Sequence, residues 1–274
     1  MKKIATIILN RNLPEVTNKL YELINKHDGD VTDIFVVEAG SDIDSMSRYV
    51  TWHANWPDAI KHGLRFCRGM NYGLSQLWKE KQFDKYDAFF LITNDTVLKE
   101  ESSIKSLINV FDEHKRLGIL SPCGSRWGER LLLEKEKTKY FWFIHNNALM
   151  IRREFIENIL NFEKADFMGF LFDGTNFRGY GAENELLAKA YINDWSAGIT
   201  SNVFVDENES HLINKSDLIK TEKYEINQKL YLDEGKIWMK NKYGFNSHWS
   251  MQQYVKGFYD KFFEFHPELL QFKI

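Results

Sequence analysis

Asp95 is the residue of this sequence whose type and position point most directly to metal chemistry. It follows the apolar run 88–92 and lies in the tetrapeptide Thr93-Asn94-Asp95-Thr96. Carboxylate, amide and hydroxyl oxygens are the ligands that Mg²⁺ and Mn²⁺ prefer. The same tetrapeptide also fits an ordinary turn after a strand, because Asn and Asp both favour turns. The residues alone therefore leave both interpretations open.

The elements that must position Asp95 form an alternating pattern over the first 120 residues. Apolar strand-like runs alternate with helical periodicity, which is typical of an α/β sheet with largely parallel strands. The predicted strands are 4–9, 34–37, 88–92 and 118–122, and the predicted helices are 14–26, 102–114 and a helix that begins after a loop at 68–73. Ligands of open α/β sheets gather beyond the carboxyl ends of the strands, so we expect Glu38, Asp42 and Asp95 to share one crevice.

The second half of the chain has an α+β pattern. Its predicted elements are a strand at 140–151, a helix at 153–162, a loop at 179–185 that opens a helix, a strand-like run at 203–205 and an aromatic-rich helical stretch after 221. No repeat, low-complexity tract or Pro/Gly-rich linker interrupts the sequence. We therefore predict one core domain at 1–215, with halves of about 1–122 and 123–215, and a C-terminal helical extension at 216–274 packed on or beside it.

Composition argues against several classes of function. The net charge of −3 and a pI near 6.3 disfavour a broad nucleic-acid surface, which needs clustered Lys and Arg. The sequence contains neither Gly-x-Gly-x-x-Gly nor Gly-x-x-x-x-Gly-Lys-Ser/Thr, so a dehydrogenase or a P-loop ATPase is not indicated. The apolar run 4–9 is too short for a signal or spanning segment, and the two cysteines, Cys67 and Cys123, fit a reducing cytoplasm. The remaining carboxylates can hold a polyphosphate only through a hard cation.

Five segments, in this order and spacing, resemble the motifs of GT-A glycosyltransferases, particularly family 2. They are Ile7-Ile8-Leu9-Asn10-Arg11, Val36-Val37-Glu38-Ala39-Gly40-Ser41-Asp42, Asn71-Tyr72-Gly73, Phe90-Leu91-Ile92-Thr93-Asn94-Asp95-Thr96 and Gly181-Ala182-Glu183-Asn184-Glu185-Leu186. The resemblance covers about residues 4–212 and implies a GT-A fold, which is Rossmann-like with a mixed central sheet. It also implies an enzyme that moves a sugar from a nucleotide-diphosphate sugar to a hydroxyl of a glycan or other acceptor.

The resemblance further implies a set of donor-binding residues, which are Leu9, Asn10, Arg11, Glu38, Asp42, Asn71, Thr93 and Asn94. Glu38 stands where these enzymes usually carry an Asp for the base, and Asn71 belongs to an Asn-x-Gly turn. Asp95 matches the final Asp of the Asp-x-Asp metal motif, whose first Asp is replaced by Thr93. His211 stands near a third metal ligand or phosphate contact of many GT-A enzymes, although a lone packed histidine would look the same. The implied cofactor is Mn²⁺ or Mg²⁺.

On the acceptor side, the segment 181–186 resembles the Trp-Gly-Gly-Glu-Asp/Asn-x-Glu-Leu motif of the family, with Tyr180 in place of Trp. In inverting members an acid of this motif is the general base that removes the proton of the acceptor hydroxyl. The usual Asp is Asn184 here, so the resemblance assigns the base to Glu183, with Glu185 in reserve. Without the family, a helix N-terminus explains both acids, because its first turn favours negative charge.

The partners that the resemblance implies are a UDP-, GDP- or dTDP-linked sugar and a glycan or lipid-linked acceptor, as in polysaccharide biosynthesis. A lipid-linked acceptor would be compatible with peripheral association with a membrane. The segment 145–148 resembles the acceptor-region strand of the family. Two alternatives stay open. A sugar-phosphate nucleotidyltransferase normally has a Gly-rich basic loop after the first strand, where residues 10–15 offer only Arg11. A catalytically inactive glycan-binding or assembly protein would explain Thr93 and Asn184 at two positions that are usually acidic.

Overall fold

The computed structural model describes residues 3–99, 101–133, 137–161, 165–208 and 210–274. The strands are β1 (Ile4–Asn10), β2 (Thr32–Glu38), β3 (Val50–His53), β4 (Ala88–Thr93), β5 (Thr96–Leu98), β6 (Leu117–Gly124), β7 (Thr138–Tyr140), β8 (Ala148–Arg152) and β9 (Ser196–Glu207). The helices are α1 (Pro14–Asp28), α2 (Pro57–His62), α3 (Arg65–Lys79), α4 (Ser103–Glu113), α5 (Arg153–Ile159), α6 (Ala182–Ile192), α7 (Ser210–Asn214), α8 (Tyr224–Tyr243) and α9 (His248–Phe265). In these ranges no helix combines the length and the apolar character that crossing a membrane requires.

The described strands form one mixed sheet of nine strands in the order β3-β2-β1-β4-β8-β6-β9-β5, with β7 paired to β9. Strands β1 to β4 run parallel, as the alternating sequence pattern predicts, while β8 is antiparallel to β4 and β6. Strand β9 is parallel to β6 and antiparallel to β5 and β7. The predicted α/β class with a mixed central sheet is confirmed. The carboxyl ends of β1, β2 and β4 consequently meet at one edge.

The interior strands are apolar because they are covered on both faces. Every residue of β1 from Ile4 to Ile8 is buried, as are all but the last residue of β4. Such continuous burial is expected for parallel strands between two layers of helices, and it explains why the sequence shows apolar runs instead of alternation. The helix α1 begins at Pro14, a residue that suits the first helical position because that position needs no backbone N–H donor.

The segment 68–73 is not the predicted loop but lies inside α3. Its glycines serve close packing against the sheet. A Cβ atom added to Gly69 would lie 2.3 Å from Cδ1 of Leu9. A Cβ atom added to Gly73 would lie 2.9 Å from Cγ2 of Ile7. The helix therefore approaches β1 closely because these two positions have no side chain.

Gly73→Ala is expected to lower the free energy of unfolding by about 1–3 kcal/mol, because the added methyl group overpacks the interface. It would meet Cγ2 of Ile7 at 2.9 Å and Cγ2 of Val37 at 3.1 Å. The matched control is Gly257→Ala in α9, where nothing lies within 4 Å of the added Cβ. That change is expected to raise the free energy of unfolding by about 0.5–1 kcal/mol. Chemical denaturation measures both values, and equal effects would contradict this account of α3.

The run 140–151 is predicted as one strand, but it forms parts of two. Strand β7 ends at Tyr140 and β8 begins at Ala148. Between them, the N–H of Phe141 still donates to the carbonyl of Ala197 in β9 at 3.0 Å, and Phe141 and Ile144 are both buried. The polar stretch between β2 and α3, for which the sequence predicted no element, contains β3 and α2. Helix α5 ends at Ile159, and Phe162 at the end of the helix predicted for 153–162 lies outside the described residues.

The C-terminal helices α8 and α9 cover the start of α6. Helix α9 packs against α6 through edge-to-face contacts of Tyr191 with Tyr259 and Phe262. Helix α8 comes close to the loop before α6 at Gly235, where an added Cβ would lie 2.5 Å from Cβ of Tyr180. The predicted helical character of the C-terminal stretch is therefore observed, and these helices enclose the segment that carries Glu183 and Glu185.

Candidate functional site

The carboxyl ends of β1 and β4 form one side of a cavity. The two strands are parallel with Leu9 opposite Thr93, so the chain leaves both strands at the same edge. The first cavity, as we call it, is lined by Leu9, Asn10, Arg11, Leu13, Ala39, Arg65, Phe66, Thr93, Asn94, Asp95, His211, Ile219 and Thr221. It brings the predicted site residues at the ends of β1 and β4 together with His211, which was also predicted as a site residue.

Amide side chains fix the shape of this edge. Nδ2 of Asn94 donates to Oδ1 of Asn10 at 2.9 Å and to Oγ1 of Thr17 at 3.0 Å. Nδ2 of Asn10 donates in turn to the carboxylate of Glu38 at 2.8 Å. The ends of β1, β2 and β4 are thus joined by a chain of side-chain hydrogen bonds, which holds the cavity wall in one arrangement.

Glu38 lies behind the cavity wall and not in the cavity. Its side chain is fully buried and accepts hydrogen bonds from Asn10, from the hydroxyl of Ser41 and from the backbone N–H of Ser47 at 2.7 Å. In this arrangement Glu38 acts on anything in the first cavity only through Asn10. The donor-binding role that the sequence suggested for it would thus be indirect.

Glu38→Ala is expected to lower the melting temperature by roughly 4–8 °C and to raise the donor KM more than it lowers kcat. Removing the carboxylate leaves buried donors of Asn10 and Ser47 unsatisfied, which costs about 2 kcal/mol at roughly 2–4 °C per kcal/mol. Without Glu38 the side chain of Asn10 is no longer fixed, in the ground state or in the transition state. Donor affinity is therefore expected to fall more than the rate of the chemical step. Thermal unfolding and donor kinetics test this together. A normal melting temperature and KM with a lowered kcat would contradict it.

Asp95 and His211 face the first cavity from two different elements. The backbone carbonyl of Asp95 accepts from the N–H of Asn208 at 2.8 Å, which ties the end of β4 to the chain after β9. Both ring nitrogens of His211 are buried and have no hydrogen-bond partner among the described residues. In the described part of the chain, no group of three or more His, Cys, Asp or Glu side chains is arranged to hold a metal ion. A cation here would need ligands from the substrate as well.

Three arginines place positive charge around this edge. Arg11 lines the first cavity, and Arg65 lines both the first cavity and a second one beside it. Arg178 lines only the second. Burial, with the neighbouring charge of Arg178, lowers the pKa of Arg65 to about 10, so its guanidinium stays protonated at neutral pH.

The segment before α8 partly neutralises these arginines. Arg178 donates to Glu222 at 2.8 Å and to Glu234 at 3.1 Å, and Arg65 donates to Oγ1 of Thr221 at 2.7 Å. Although burial acts in the opposite direction, the hydrogen bond and charge of Arg178 hold the pKa of Glu222 at about 2. Glu222 therefore stays ionised at neutral pH and keeps this segment attached to the site.

The second cavity shares Arg65, Phe66, Thr93 and Asp95 with the first. Its further lining residues are Trp127, His145, Asn146, Asn147, Arg178, Glu207, Asn227, Gln228 and Tyr231. It therefore combines aromatic rings with amides and charged groups. Such a mixture suits a hydroxylated ring, because ring faces contact C–H groups while polar groups bind hydroxyls.

Glu183 and Glu185 lie in the first turn of α6 but point to different partners. The carboxylate of Glu183 accepts from Nε2 of His248 at 3.1 Å. Glu185 accepts from Nζ of Lys242 and from the hydroxyl of Tyr243, both at 2.8 Å. Neither acid lines the first or second cavity. Burial and the charge of Glu183 raise the pKa of Tyr231, a residue that lines the second cavity.

Two other predicted residues lie away from the first cavity. Asn71 is fully buried in α3, where its Nδ2 donates to the carbonyls of Phe167 and Phe172 and its Oδ1 accepts from the N–H of Leu171. It shapes the site from behind by fixing that loop. Asp42 lies half-exposed at the rim, where it pairs with Lys220 and accepts from Nδ2 of Asn12 at 3.3 Å.

Sequence reasoning missed Arg65 and Arg178 as site residues. Arg65 is the first residue of α3 and has a positive φ of 55°, so it lies in a tight connection that no motif marks. Arg178 precedes the segment 179–185 directly, and its position beside that segment was the one signal available. Asn147 lies in the segment 145–148, which the sequence indicated without assigning a role.

Comparison with known proteins supports the fold. No family model and no curated protein matches the sequence. The structure is similar to the mannosyltransferase PcManGT from Pyrobaculum calidifontis in complex with GDP-Man and Mn²⁺, with a TM-score of 0.55 and 10% identity, over 88% of this chain and 65% of that chain. This chain thus spans just under two thirds of that protein. A197 from STIV matches more weakly, with a TM-score of 0.40 and 12% identity, over 74% of this chain and 84% of that chain. At this identity the first similarity shows a shared fold and nothing about activity.

Proposed function

We propose that this protein is a GT-A glycosyltransferase of the family 2 type, which transfers a glycosyl group from a nucleotide-diphosphate sugar to an acceptor hydroxyl. The observation that carries the proposal is the continuity of the two cavities. The first gathers the ends of β1 and β4, and it shares Thr93, Asp95 and Arg65 with the second. A nucleoside in the first cavity and its sugar in the second would place the diphosphate beside Asp95 and Arg65.

A divalent ion, Mn²⁺ or Mg²⁺, fits the residues that are present. Asp95 supplies a carboxylate and His211 an imidazole, and the buried ring nitrogens of His211 have no hydrogen-bond partner in the described ranges. Two protein ligands are enough where substrate phosphates complete the coordination, which is usual for Mg²⁺ bound with nucleotides. When bound, the ion would neutralise charge on the diphosphate leaving group. The solved mannosyltransferase of similar fold is itself a complex with GDP-Man and Mn²⁺.

Arg65 and Arg11 complement the cation on the donor side. Both line the first cavity, and Arg65 remains protonated at neutral pH because its lowered pKa is still about 10. A guanidinium can bind two phosphate oxygens at once, so Arg65 orients the diphosphate between the two cavities. Thr221 and Glu222 accept hydrogen bonds from the same side chain.

Glu183 is proposed as the general base that removes the proton of the acceptor hydroxyl. Glu185 is less suited to that role, because Lys242, Tyr243 and Lys189 already bind its carboxylate. Glu183 has one such partner outside its own helix, His248. The acceptor would then approach the second cavity from the side of α8 and α9.

A second candidate is a catalytically inactive protein of the same fold that binds a glycan. One observation favours it: the acids of α6 contact the C-terminal helices instead of lining a cavity. A nucleotidyltransferase is less well supported, because the loop after β1 contributes one basic side chain, Arg11, to the first cavity. The two remaining candidates differ in whether nucleotide binding is required.

Isothermal titration with UDP, GDP and dTDP, each with and without Mn²⁺, separates the candidates. A transferase is expected to bind at least one nucleotide, and to bind it at least about tenfold more tightly with Mn²⁺, a difference of about 1.4 kcal/mol. The glycan-binding alternative predicts no heat with any nucleotide. Tight nucleotide binding with the same affinity in the presence and absence of Mn²⁺ would contradict the proposed roles of Asp95 and His211.

A further inference from the structure

The side chain of Asn147 is a buried amide without a partner. Only 6% of the residue is exposed, and both Nδ2 and Oδ1 are buried with no hydrogen-bond partner among the described residues. Buried polar groups are nearly always hydrogen-bonded, and an exception calls for an explanation such as an absent ligand. Asn147 lines the second cavity, so the ligand would lie there.

The main chain at Asn147 is fixed to the end of β4 by hydrogen bonds to its carbonyl. Its carbonyl accepts from the N–H of Thr93 at 3.0 Å, from Oγ1 of Thr93 at 3.3 Å and from Oγ1 of Thr96 at 3.0 Å. These bonds fix Asn147 to the end of β4, on either side of Asp95. The main chain that carries this amide is therefore held next to the point where the two cavities join.

The chemistry of the surroundings indicates the ligand. An amide offers one acceptor oxygen and an NH₂ donor, and it can bind two neighbouring hydroxyls, one as donor and one as acceptor. Trp127 and Tyr231 present rings to the same cavity. Its charges do not favour an acidic sugar, because Asp95 and Glu207 line it and Arg178 already binds two glutamates. The other arginine of this cavity, Arg65, contacts Glu222 and is assigned to the diphosphate. The occupant that fits is a neutral, hydroxylated sugar ring.

We propose that Asn147 is a specificity-determining residue that binds hydroxyl groups of the donor's glycosyl group. This inference rests on the proposed function, and it adds the part of the donor that the second cavity recognises. The donor sugar is favoured over the acceptor because Asn147 is fixed to Thr93, which also lines the cavity assigned to the nucleotide. A site that hydrogen-bonds a hydroxyl discriminates strongly against a sugar without it, since its buried groups are then left unpaired.

The test measures how tightly Asn147→Ala binds each nucleoside diphosphate and the corresponding nucleotide sugar, in the presence of Mn²⁺. The probes are UDP and UDP-glucose, GDP and GDP-mannose, and dTDP and dTDP-glucose. The variant is expected to bind the preferred nucleoside diphosphate as the wild type does, and to bind the nucleotide sugar about 10- to 100-fold more weakly. The control Asn202→Ala removes an asparagine of β9 that lines a different cavity and is expected to change neither affinity.

Deoxy donors show whether the contact is direct. In the wild type, removing the hydroxyl that Asn147 binds should weaken donor binding, whereas in Asn147→Ala the deoxy and parent sugars should bind alike. The melting temperature of Asn147→Ala should be unchanged or higher, because an unpaired buried amide is removed. A loss of stability with equal weakening of nucleotide and nucleotide sugar, or no weakening of the sugar, would overturn the inference. If wild type binds no nucleotide at all, the proposed function fails first.

Discussion

Asp95→Asn is expected to lower metal-dependent turnover of the donor by about 10²–10⁴-fold while the fold stays intact. Asn is nearly isosteric with Asp but is a poor ligand for hard cations. The loss corresponds to several kcal/mol of charge neutralisation at the leaving group. Asp95 is only partly buried, at the end of β4, so the substitution does not disturb the core. Turnover and thermal unfolding should be measured on the same preparation.

Asp206→Asn is the matched control for this substitution. Asp206 lies at the end of β9, pairs with Lys99 and Arg126, and is not among the residues that line the first or second cavity. It removes one carboxylate from the same edge of the sheet, and turnover is expected to stay at the wild-type level. Unchanged turnover of the Asp95 variant, or an equal loss in both variants, would contradict the metal assignment.

Glu183→Gln is expected to lower kcat by about 10²–10⁴-fold with little change in donor binding, because general-base catalysis contributes that much. Glu185→Gln is expected to be much milder in kcat. Two residues apart on a helix, the side chains point about 200° from each other, so one acid at most can face the acceptor. The structure adds a second difference, since Glu185 binds Lys242 and Tyr243 at the other side of α6.

The free energy of unfolding distinguishes Glu183 from Glu185 independently of the kinetic measurements. Glu185→Gln weakens charge-assisted hydrogen bonds to Lys242 and Tyr243 and should lower the free energy of unfolding by about 1–3 kcal/mol. Glu183→Gln replaces a single contact with His248 and should cost less. The opposite ranking in kcat would move the role of base to Glu185. If neither variant slows transfer, a retaining transferase or a non-catalytic protein becomes the better account.

The first cavity could be predicted from sequence in part, because the position of its wall at the ends of β1 and β4 follows from strand direction. Leu9 and Thr93 end two apolar runs, and parallel pairing alone brings the residues after them together. The sequence could not show which side chains remain available. Glu38 and Asn71 have the types expected of ligand-binding residues, yet their hydrogen bonds are made to Ser47 and Leu171 inside the protein. Those partners are far enough away in the sequence that only the fold reveals them.

The second cavity was harder to predict because several of its lining residues come from irregular segments. Asn147 lies in the connection between β7 and β8, which resembles a strand in sequence because it contains apolar residues such as Phe141 and Ile144 that are buried in the structure. Arg65 and Arg178 lie far apart in the sequence, and both donate hydrogen bonds to Glu222 and Asn227. The glycines of α3 led to the opposite error, because part of a helix was predicted as a loop. Close helix packing and a turn can both require glycine, so the residue type alone does not distinguish them.

The central claim is that this protein cleaves nucleotide sugars between the sugar and the diphosphate with help from a divalent ion. The most direct measurement is product analysis after incubation with a panel of UDP-, GDP- and dTDP-sugars, with Mn²⁺ or with EDTA. We expect slow release of a nucleoside diphosphate and free sugar from at least one donor, dependent on Mn²⁺ and absent in Asp95→Asn. Release of a nucleoside monophosphate and a sugar phosphate, or no reaction with any donor, would contradict the account.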